Sequence, residues 1–543
     1  MSTDTIPARG AAADASNRGG GFGQLLRSEW TKFRTVRGWV IGMILAGVLT
    51  IFVGLFAAGN SNIGCQSVDG APRTGKACLP YIPHGPGGEV VTDSFNFAHQ
   101  TLTGDGTITA RVTSFTGEHA NLNGQPVRAG SGPNMLPGLM PWSKAGLIIK
   151  QSLHQGSAYA AMMVTGRNGV RMQYNYTSDT AGLPGRVSAA QPRWLRLTRS
   201  GDTVTGSDSA DGTHWTEVGT ARLAGLPATV QVGMFATSPN YVFTSRSFGG
   251  SSNQGGPSQA TGVFDDVRVT GTSAGGTWAD AAVGGGGPVG QAGPGHANGF
   301  TGAGGTYTMT GSGDIAPEVP GAASTLPTAT VEQSLAGVFI GLIAIVVVAA
   351  MFFTAEYRRG LIRTTLTAAP RRGQVLAAKA IVAGAAAFVL GLVTAAVAIG
   401  VGVPLESSKG QVVLPVSGLT EVRVVAGTAA LLAVAAVFAV ALGAALRRSA
   451  AAITLAVVTV VMPFLLTALN VFPAGVGAWL LRLTPAAGLA IQQSIPRYPQ
   501  VTTEYSPAGG YYPLPPLAGL AVLCAWAAAA LALAYVLLRR RDA

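Results

Sequence analysis

Charge is what this chain has least of. Only 11% of its 543 residues are Asp, Glu, Lys or Arg, against about 25% in a soluble globular chain, so a single water-soluble domain is excluded. Cysteine is nearly absent as well, with three residues in all, which excludes a disulfide-rich scaffold and a cysteine metal centre. The six His show neither H-x-x-x-H nor H-E-x-x-H spacing, and there is no G-x-S-x-G turn for a nucleophilic serine. No metal site and no catalytic residue is therefore expected. The formal charge of +12 could suggest nucleic acid. Its basic residues instead bunch beside apolar runs, with no aromatic-interleaved basic face, so no nucleic-acid partner is expected.

The chain does have long uncharged runs. Trp39–Ala58, Leu335–Phe353, Ile381–Val403, Val424–Leu446, Ala450–Val471 and Leu514–Leu538 each reach the roughly 20 residues that one bilayer crossing needs. A secretory signal is the rival reading of the first. It fails because the preceding segment is too long and no small-residue cleavage site precedes Cys65. A weaker run, Val476–Ile495, is interrupted by Arg482 and Pro485 and reads as a re-entrant or interfacial pair of short helices.

Lys and Arg cluster at Arg27–Arg37, Arg358–Lys379, Arg447–Arg448 and Arg539–Arg541. With six spans all four clusters fall on one side, so the positive-inside bias puts both termini in the cytoplasm and residues 59–330 outside the cell membrane. The resulting division is a disordered stretch 1–21, an amphipathic cytoplasmic helix 22–38 and transmembrane helix 39–58. An external β-sandwich insert with tethers, 59–330, follows, then transmembrane helix 331–353 and a cytoplasmic coupling loop 354–380. Residues 381–543 hold helices three to six with an external re-entrant segment near 476–495.

Before the first span, Phe22, Leu25, Leu26, Trp30, Phe33 and Val36 recur at three- and four-residue steps, with Arg27, Lys32 and Arg34 between them. That is the pattern of an interfacial helix, either a plain membrane anchor or a surface on which a partner could press. Within it and after the second span stand LLRSEWTKFRTVRG, from Leu25, and TAEYRRGLIRTTLTAAPRRGQVLAAK, from Thr354. These segments resemble ABC-2-type transporter permeases, in which a short basic helix precedes the first span and a cytoplasmic loop joins the second and third. The resemblance covers the N-terminal helix and the six spans but not the insert.

It implies a permease dimer, homomeric or heteromeric, in the lipid bilayer, driven by a separate ABC ATPase subunit that carries the ATP and Mg²⁺. Glu356, Arg358, Arg359, Gly360, Arg363, Arg371 and Arg372 become ATPase-coupling candidates, and Leu26, Trp30, Lys32, Phe33 and Arg34 form the interfacial helix. The chain itself supplies no cofactor site. Gly70–Lys76, GAPRTGK, matches the first positions of a P-loop, but Ala77 stands where Mg²⁺ binding needs Ser or Thr.

From Asp93 onward the pattern changes to short alternating runs, such as TITARV, AGLIIKQ, YAAMMVT and RWLRLTRS, separated by turns at Gly201-Asp202 and Asp211-Gly212. Short strands at this spacing indicate an antiparallel sandwich. FNFAHQTLTGDGTITARV, WSKAGLIIKQSL, WLRLTRSGDTVTGSDSADGTHWTEVG and FDDVRVTG resemble concanavalin-like, laminin-G-like jelly-roll modules. The expected fold is thus an α-helical polytopic membrane protein of six transmembrane helices, with an all-β jelly roll inserted between helices one and two.

GTYTMTGSGDI, Gly305–Ile315, follows the FDDV strand where its counterpart in such modules precedes the FNF strand. The insert therefore reads as circularly permuted, with Gly305–Ile315 returning to the region of Asp93. The tracts Gly249–Gly256 and Gly284–Gly305 read as flexible loops. Cys65 and Cys78 are a disulfide candidate, and Cys524 is packing. Trp142, Tyr174, Tyr176 and Trp215 are candidate glycan contacts, against the plainer reading that they fill core or turns. Asp265 and Asp266 are neighbours, so in a regular strand they face opposite sides and cannot work as a pair.

Function therefore reads as the membrane subunit of an ATP-driven exporter whose insert binds a surface glycan or gates. The alternative is a membrane-anchored glycan-binding or adhesion protein without transport. A carbohydrate-acting membrane enzyme is the weakest reading, for want of paired carboxylates.

Overall fold

The computed structural model describes residues 21–66, 72–79, 81–121, 135–247, 250–271, 276–284, 298–321, 326–358, 360, 364, 371–501, 503 and 505–540. The expected disorder of residues 1–20 and the coupling candidates Arg359 and Arg363 lie outside them, as does the side chain of Arg358.

Nine α-helices appear among the described residues: α1 (Phe22–Thr35), α2 (Arg37–Gly59), α3 (Val338–Arg358), α4 (Arg372–Ser408), α5 (Gly418–Leu446), α6 (Ser449–Val460), α7 (Met462–Ala468), α8 (Ala474–Leu483) and α9 (Pro516–Arg540). Six stretches are long and apolar enough to cross a membrane: α2, Val331–Tyr357, α4, α5, α6 with α7, and α9. Helical spans pair most of their backbone polar groups internally, as hydrocarbon demands. α5 is the central element, with 72% of its apolar window buried, whereas α9 buries only 22%. The buried residues of α9 form one narrow stripe, Gly519, Leu523, Ala527, Ala530, Ala534 and Leu538.

Helices α2 and α3 approach closely where side chains are small. A Cβ on Gly337 would lie 1.9 Å from the Thr50 carbonyl oxygen, and one on Gly341 2.0 Å from Thr50 Oγ1.

Two spans differ from the apolar runs. α4 begins at Arg372 and ends at Ser408, 37 residues or about 55 Å at 1.5 Å per residue, so it extends past the apolar run at both ends and takes in Lys379. The run expected over Ala450–Val471 is broken at Val461, because Pro463 has no N–H to offer the turn before it and its ring crowds that turn. The pair of short helices expected near 476–495 is present as α8 and the 3-10 helix Pro485–Gln492, bent by 96°.

In chain order the strands of the β domain lie between α2 and α3. Most of them form two large antiparallel sheets, with smaller two-stranded pairs beside them and Met135–Pro137 paired to Gly106–Ala120 off the main path of the second. One has the order Ser178–Ala181, Val170–Tyr174, Tyr159–Thr165, Lys144–Lys150, Thr229–Thr237, Phe95–Thr103, Ala279–Val283. The other runs Thr216–Arg222, Thr203–Ser209, Arg193–Ser200, Gly106–Ala120, Ser258–Gly271, Thr306–Gly311, Gly299–Ala303. Between them lies a core that includes Leu102, Ile108, Leu147, Met162, Leu195, Val232 and Phe264.

Strand Lys144–Lys150 is buried along its whole length. Ala145, Leu147 and Ile149 face this core, while Ile148 joins Phe95, Phe97, Tyr159, Met163 and Phe235 in a second cluster on the other face. The alternation of the strand separates the two.

The Gly-rich tracts are more ordered than composition suggests. Gly250–Gly256 pairs with Tyr241–Ser247, and Gly299–Ala303 pairs with Thr306–Gly311; residues 285–297 lie outside the described set. Asp265 and Asp266 are also not split across the sheet. A register shift and a left-handed φ of 48° at Asp266 let Arg111 hold Asp265 through two bonds of 2.6 Å and reach Asp266 at 3.7 Å. A bulge removes the strict alternation on which the expectation rested.

The two ends of the β domain meet. Ile315–Pro317 pairs with Val91–Asp93, and Ser94 N–H donates to the Asp314 carbonyl at 2.8 Å. Two buried lysines at the ends of one strand pin these segments: Lys144 Nζ donates to Asp314 Oδ1 (2.6 Å), and Lys150 Nζ to Asp93 Oδ2 (2.7 Å). The Tyr176 hydroxyl also donates to Asp93 Oδ2, at 2.8 Å. Burial lowers the Lys150 pKa, and the Asp93 carboxylate opposes that shift.

Below this seam, Val90, Ala316 and Val319 share a cluster with Val412, Leu414, Ile495, Val501 and Tyr511 from the loops of the helical bundle. Thr328–Ala329 pairs in parallel with Val412–Val413, and Gln500 Nε2 donates to the Tyr176 carbonyl at 3.0 Å. The β domain is therefore seated on the bundle at the end opposite α1.

Candidate functional site: a buried charge cluster joining three helices

At the α1 end of the bundle, the hydrophobic stripe of α1 lies against the membrane helices. Phe33 is buried, Leu26 packs against the main helical core, and Phe33 meets Phe352 of α3 edge to face at 5.3 Å. Trp30 stacks on Phe33 at 6.2 Å. Seating α1 this way turns Glu29 inward, where its side chain is fully buried.

Lys379 of α4 answers it. Its Nζ lies 2.7 Å from Glu29 Oε2 and 2.8 Å from Glu356 Oε1 of α3, and 4.5 Å from the centre of the Phe352 ring. Lys32 closes the ring of charges from the solvent side, 2.7 Å from Glu29 Oε1 and 3.3 Å from Glu356 Oε1. Two carboxylates and two ammonium groups balance in an apolar setting. Such a group of charges is tolerated only when every member is paired. Burial lowers the Lys32 pKa, but the Glu29 bond and the charges of Glu29 and Glu356 outweigh it, and the net shift is upward. Among the described residues, none gives the buried Glu356 Oε2 a hydrogen-bond partner.

Chemically the cluster is a clasp and has no acid/base or nucleophilic arrangement. It ties α1, the end of α3 and the beginning of α4 together.

Of the residues singled out from sequence, the structure brings Lys32, Phe33 and Glu356 together and leaves Arg34 exposed. Gly360 sits in a turn at φ +67°. Arg371 is exposed at the start of α4. Arg372 points elsewhere, its Nη1 donating to the Leu538 carbonyl at 2.6 Å. Sequence reasoning missed Glu29 and gave Lys379 only as a positive-inside charge and as the end of the cytoplasmic coupling loop. The signals were there: one acid on an otherwise basic helix, and one lysine four residues into the apolar run VLAAKAIVA. An ionisable residue in a spanning helix needs a partner.

The four aromatics considered for glycan stacking do not form a platform. Trp142 and Tyr176 are buried, with the Arg171 guanidinium 5.7 Å from the Trp142 ring. Tyr174 packs against the sandwich core, and Arg196 covers Trp215 at 3.6 Å. Cys78 is disulfide-bonded and Cys524 is free. The backbone of Cys65 pairs with Arg73, and its side chain lies outside the described set. Among the described residues no group of three or more His, Cys, Asp or Glu is placed to hold a metal.

No curated protein matches the chain. Among solved structures, similarity is found to a functionally unknown protein from Saccharomyces cerevisiae, at 14% identity over 39% of this chain and 88% of that one, with a TM-score of 0.22. A Scytalido-glutamic peptidase bound to a peptide-based transition state analog follows, at 9% identity over 42% of this chain and 100% of that one, TM-score 0.21. A GH43 protein from Bacillus licheniformis matches at 15% identity over 30% of this chain and 27% of that one, TM-score 0.17. Overlaps this low bear on neither fold nor function.

The family match is of another order. A family model described as ABC-2 family transporter protein matches residues 203–543. It starts in strand Thr203–Ser209 and runs through α3 to α9, leaving α1 and α2 before it, so it reaches into the β domain and stops short of the N-terminal helix. It covers well over half of the chain and five of the six candidate spans, and on that extent this multi-pass membrane protein belongs to the ABC-2 transporter family.

Proposed function

We propose that the chain is the permease subunit of an ATP-driven exporter, that a separate ABC ATPase grips it at the α1 end, and that two permease copies make the working unit. The observation that carries this is the Glu29–Lys379–Glu356–Lys32 cluster. An amphipathic helix that served only as an anchor would need no fully buried carboxylate. One that must transmit displacement needs a stiff connection to the membrane helices, and this cluster supplies it.

The basic residues support the same orientation. Arg34 and Arg37 adjoin the start of α2, Arg371 and Arg372 open α4, Arg447 and Arg448 join α5 to α6, and Arg539 and Arg540 end α9. The positive-inside bias then puts α1 and both termini in the cytoplasm, and the β domain, inserted between the first two spans, outside the cell. Seated on the loops of the bundle, the β domain is positioned to gate the outer end of the path.

The test is affinity purification of the tagged full chain from native membranes, with identification of what accompanies it. An ATP-binding cassette subunit is the expected companion. Recovery of none, together with retention of the chain on immobilised glycans, would replace this reading with a membrane-anchored glycan-binding protein.

A further inference from the structure

A second feature near the α1 end belongs to neither the clasp nor the β domain. Helices α4, α5 and α9 leave between them an apolar groove of about 800 Å³. Its lining mixes small residues, such as Ala377 and Gly384 of α4 and Ala433 of α5, with the larger Phe388 and Val437, and Ala532 and Tyr535 come from α9. Along α4 it runs from Gly373 to Val389, about 24 Å at 1.5 Å per residue. Its Gly373 end adjoins the charged ends of two spans, Arg371 and Arg372 of α4 and Arg539 and Arg540 of α9, and charged residues at span ends lie at the headgroup level.

That end is basic. Arg371 and Arg540 are exposed there. Arg539 lies over the Tyr535 ring at 5.5 Å and donates to its hydroxyl at 3.3 Å. Tyr535 can close in because residue 373 is glycine: a Cβ there would lie 2.7 Å from the ring. The first turn of α4 has no acidic residue, and among the described residues its N-cap, Arg371, makes no side-chain cap bond. The positive end of the helix dipole adds to the arginines. Neither α9 nor the portion of α4 that lines the groove carries an Asp or Glu.

We propose that this groove holds one anionic phospholipid, an acyl chain lying along α4 and the phosphate at the arginine-rich end. A second copy of the chain is the competing occupant. A twofold contact through this face would bring Arg371, Arg539 and Arg540 up against their own equivalents, a like-charge arrangement with no carboxylate in either helix wall to relieve it. An anionic lipid satisfies the apolar lining and the basic end together. The proposal needs only that the helices are in a bilayer and does not depend on the ATPase reading.

The test uses the full chain in detergent, with retained lipid counted by native mass spectrometry after titration with phosphatidylglycerol or phosphatidylcholine. Phosphatidylglycerol is expected to be retained in preference. Arg371→Gln with Arg540→Gln should erode that preference by roughly fivefold per arginine. Ala532→Trp, which fills the groove from its exposed wall, should abolish retention while oligomeric state and lipid-free melting temperature stay unchanged. Ala532→Leu serves if the larger residue impairs folding. Equal retention of the two lipids would overturn the proposal. So would equal thermal protection by inorganic phosphate alone, or a change of oligomeric state on filling the groove.

Discussion

Lys379 has given up its water for two carboxylates and an aromatic face. Removing one member of a buried ion cluster costs more than the cluster contributes, because the remaining charge keeps its desolvation penalty and loses its partner. Lys379→Met is therefore expected to destabilise the helical bundle by about 3–5 kcal/mol, read as a lowered melting temperature of the detergent-solubilised chain. Glu29→Met with Lys379→Met should cost less than the sum of the two single changes, since the apolar pair no longer strands a charge. Strict additivity would mean that the two residues do not act on each other.

The cluster was only partly legible in the sequence. Periodicity marks a residue as facing in or out, and Glu29 reads as one more polar position on α1. Its partner lies 350 residues away in a helix whose start was placed at Ile381, which put Lys379 in a loop. The same limit applies to Asp265 and Asp266, where one bulged residue overrides the two-residue repeat.

Among the elements, the apolar spans were read from length alone, because hydrocarbon leaves little choice of structure. Their ends were harder. α4 extends beyond its apolar run since nothing in Arg372–Ala380 breaks a helix, and the fifth span divides because Pro463 does. The Gly-rich strands Gly250–Gly256 and Gly299–Ala303 ran against composition, since pairing with a neighbouring strand outweighs weak intrinsic preference. The tethers of the β domain give a prediction of their own. Lys144→Met should free the Asp314 carboxylate, and amide exchange of Ile315, Ala316 and Val91–Asp93 should speed up while that of Gly106–Ala120 in the opposite sheet stays unchanged. Uniform acceleration across both sheets would show that Lys144 supports the whole sandwich and not its seam.

For the whole molecule, a domain placed in chain order between α2 and α3 must return its chain to where it left. The pairing of Ile315–Pro317 with Val91–Asp93 does this, and the cluster around Val412, Ile495 and Tyr511 fixes the seam to the bundle. The joined ends were foreseeable from the order of strand motifs. The seating on the loops was not, because 494–512 carries no periodic pattern. One end of the molecule thus holds α1 and the charge clasp, and the other holds the sandwich. The clasp end is where the ATPase is proposed to dock. Site-specific photo-crosslinking in native membranes tests that assignment most directly, with a photoreactive residue at exposed Arg34 on α1 and, separately, at exposed Thr213 on the sandwich. An adduct with an ATP-binding cassette subunit from position 34 and none from position 213 is the predicted result; the reverse, or no such adduct from α1, would contradict it.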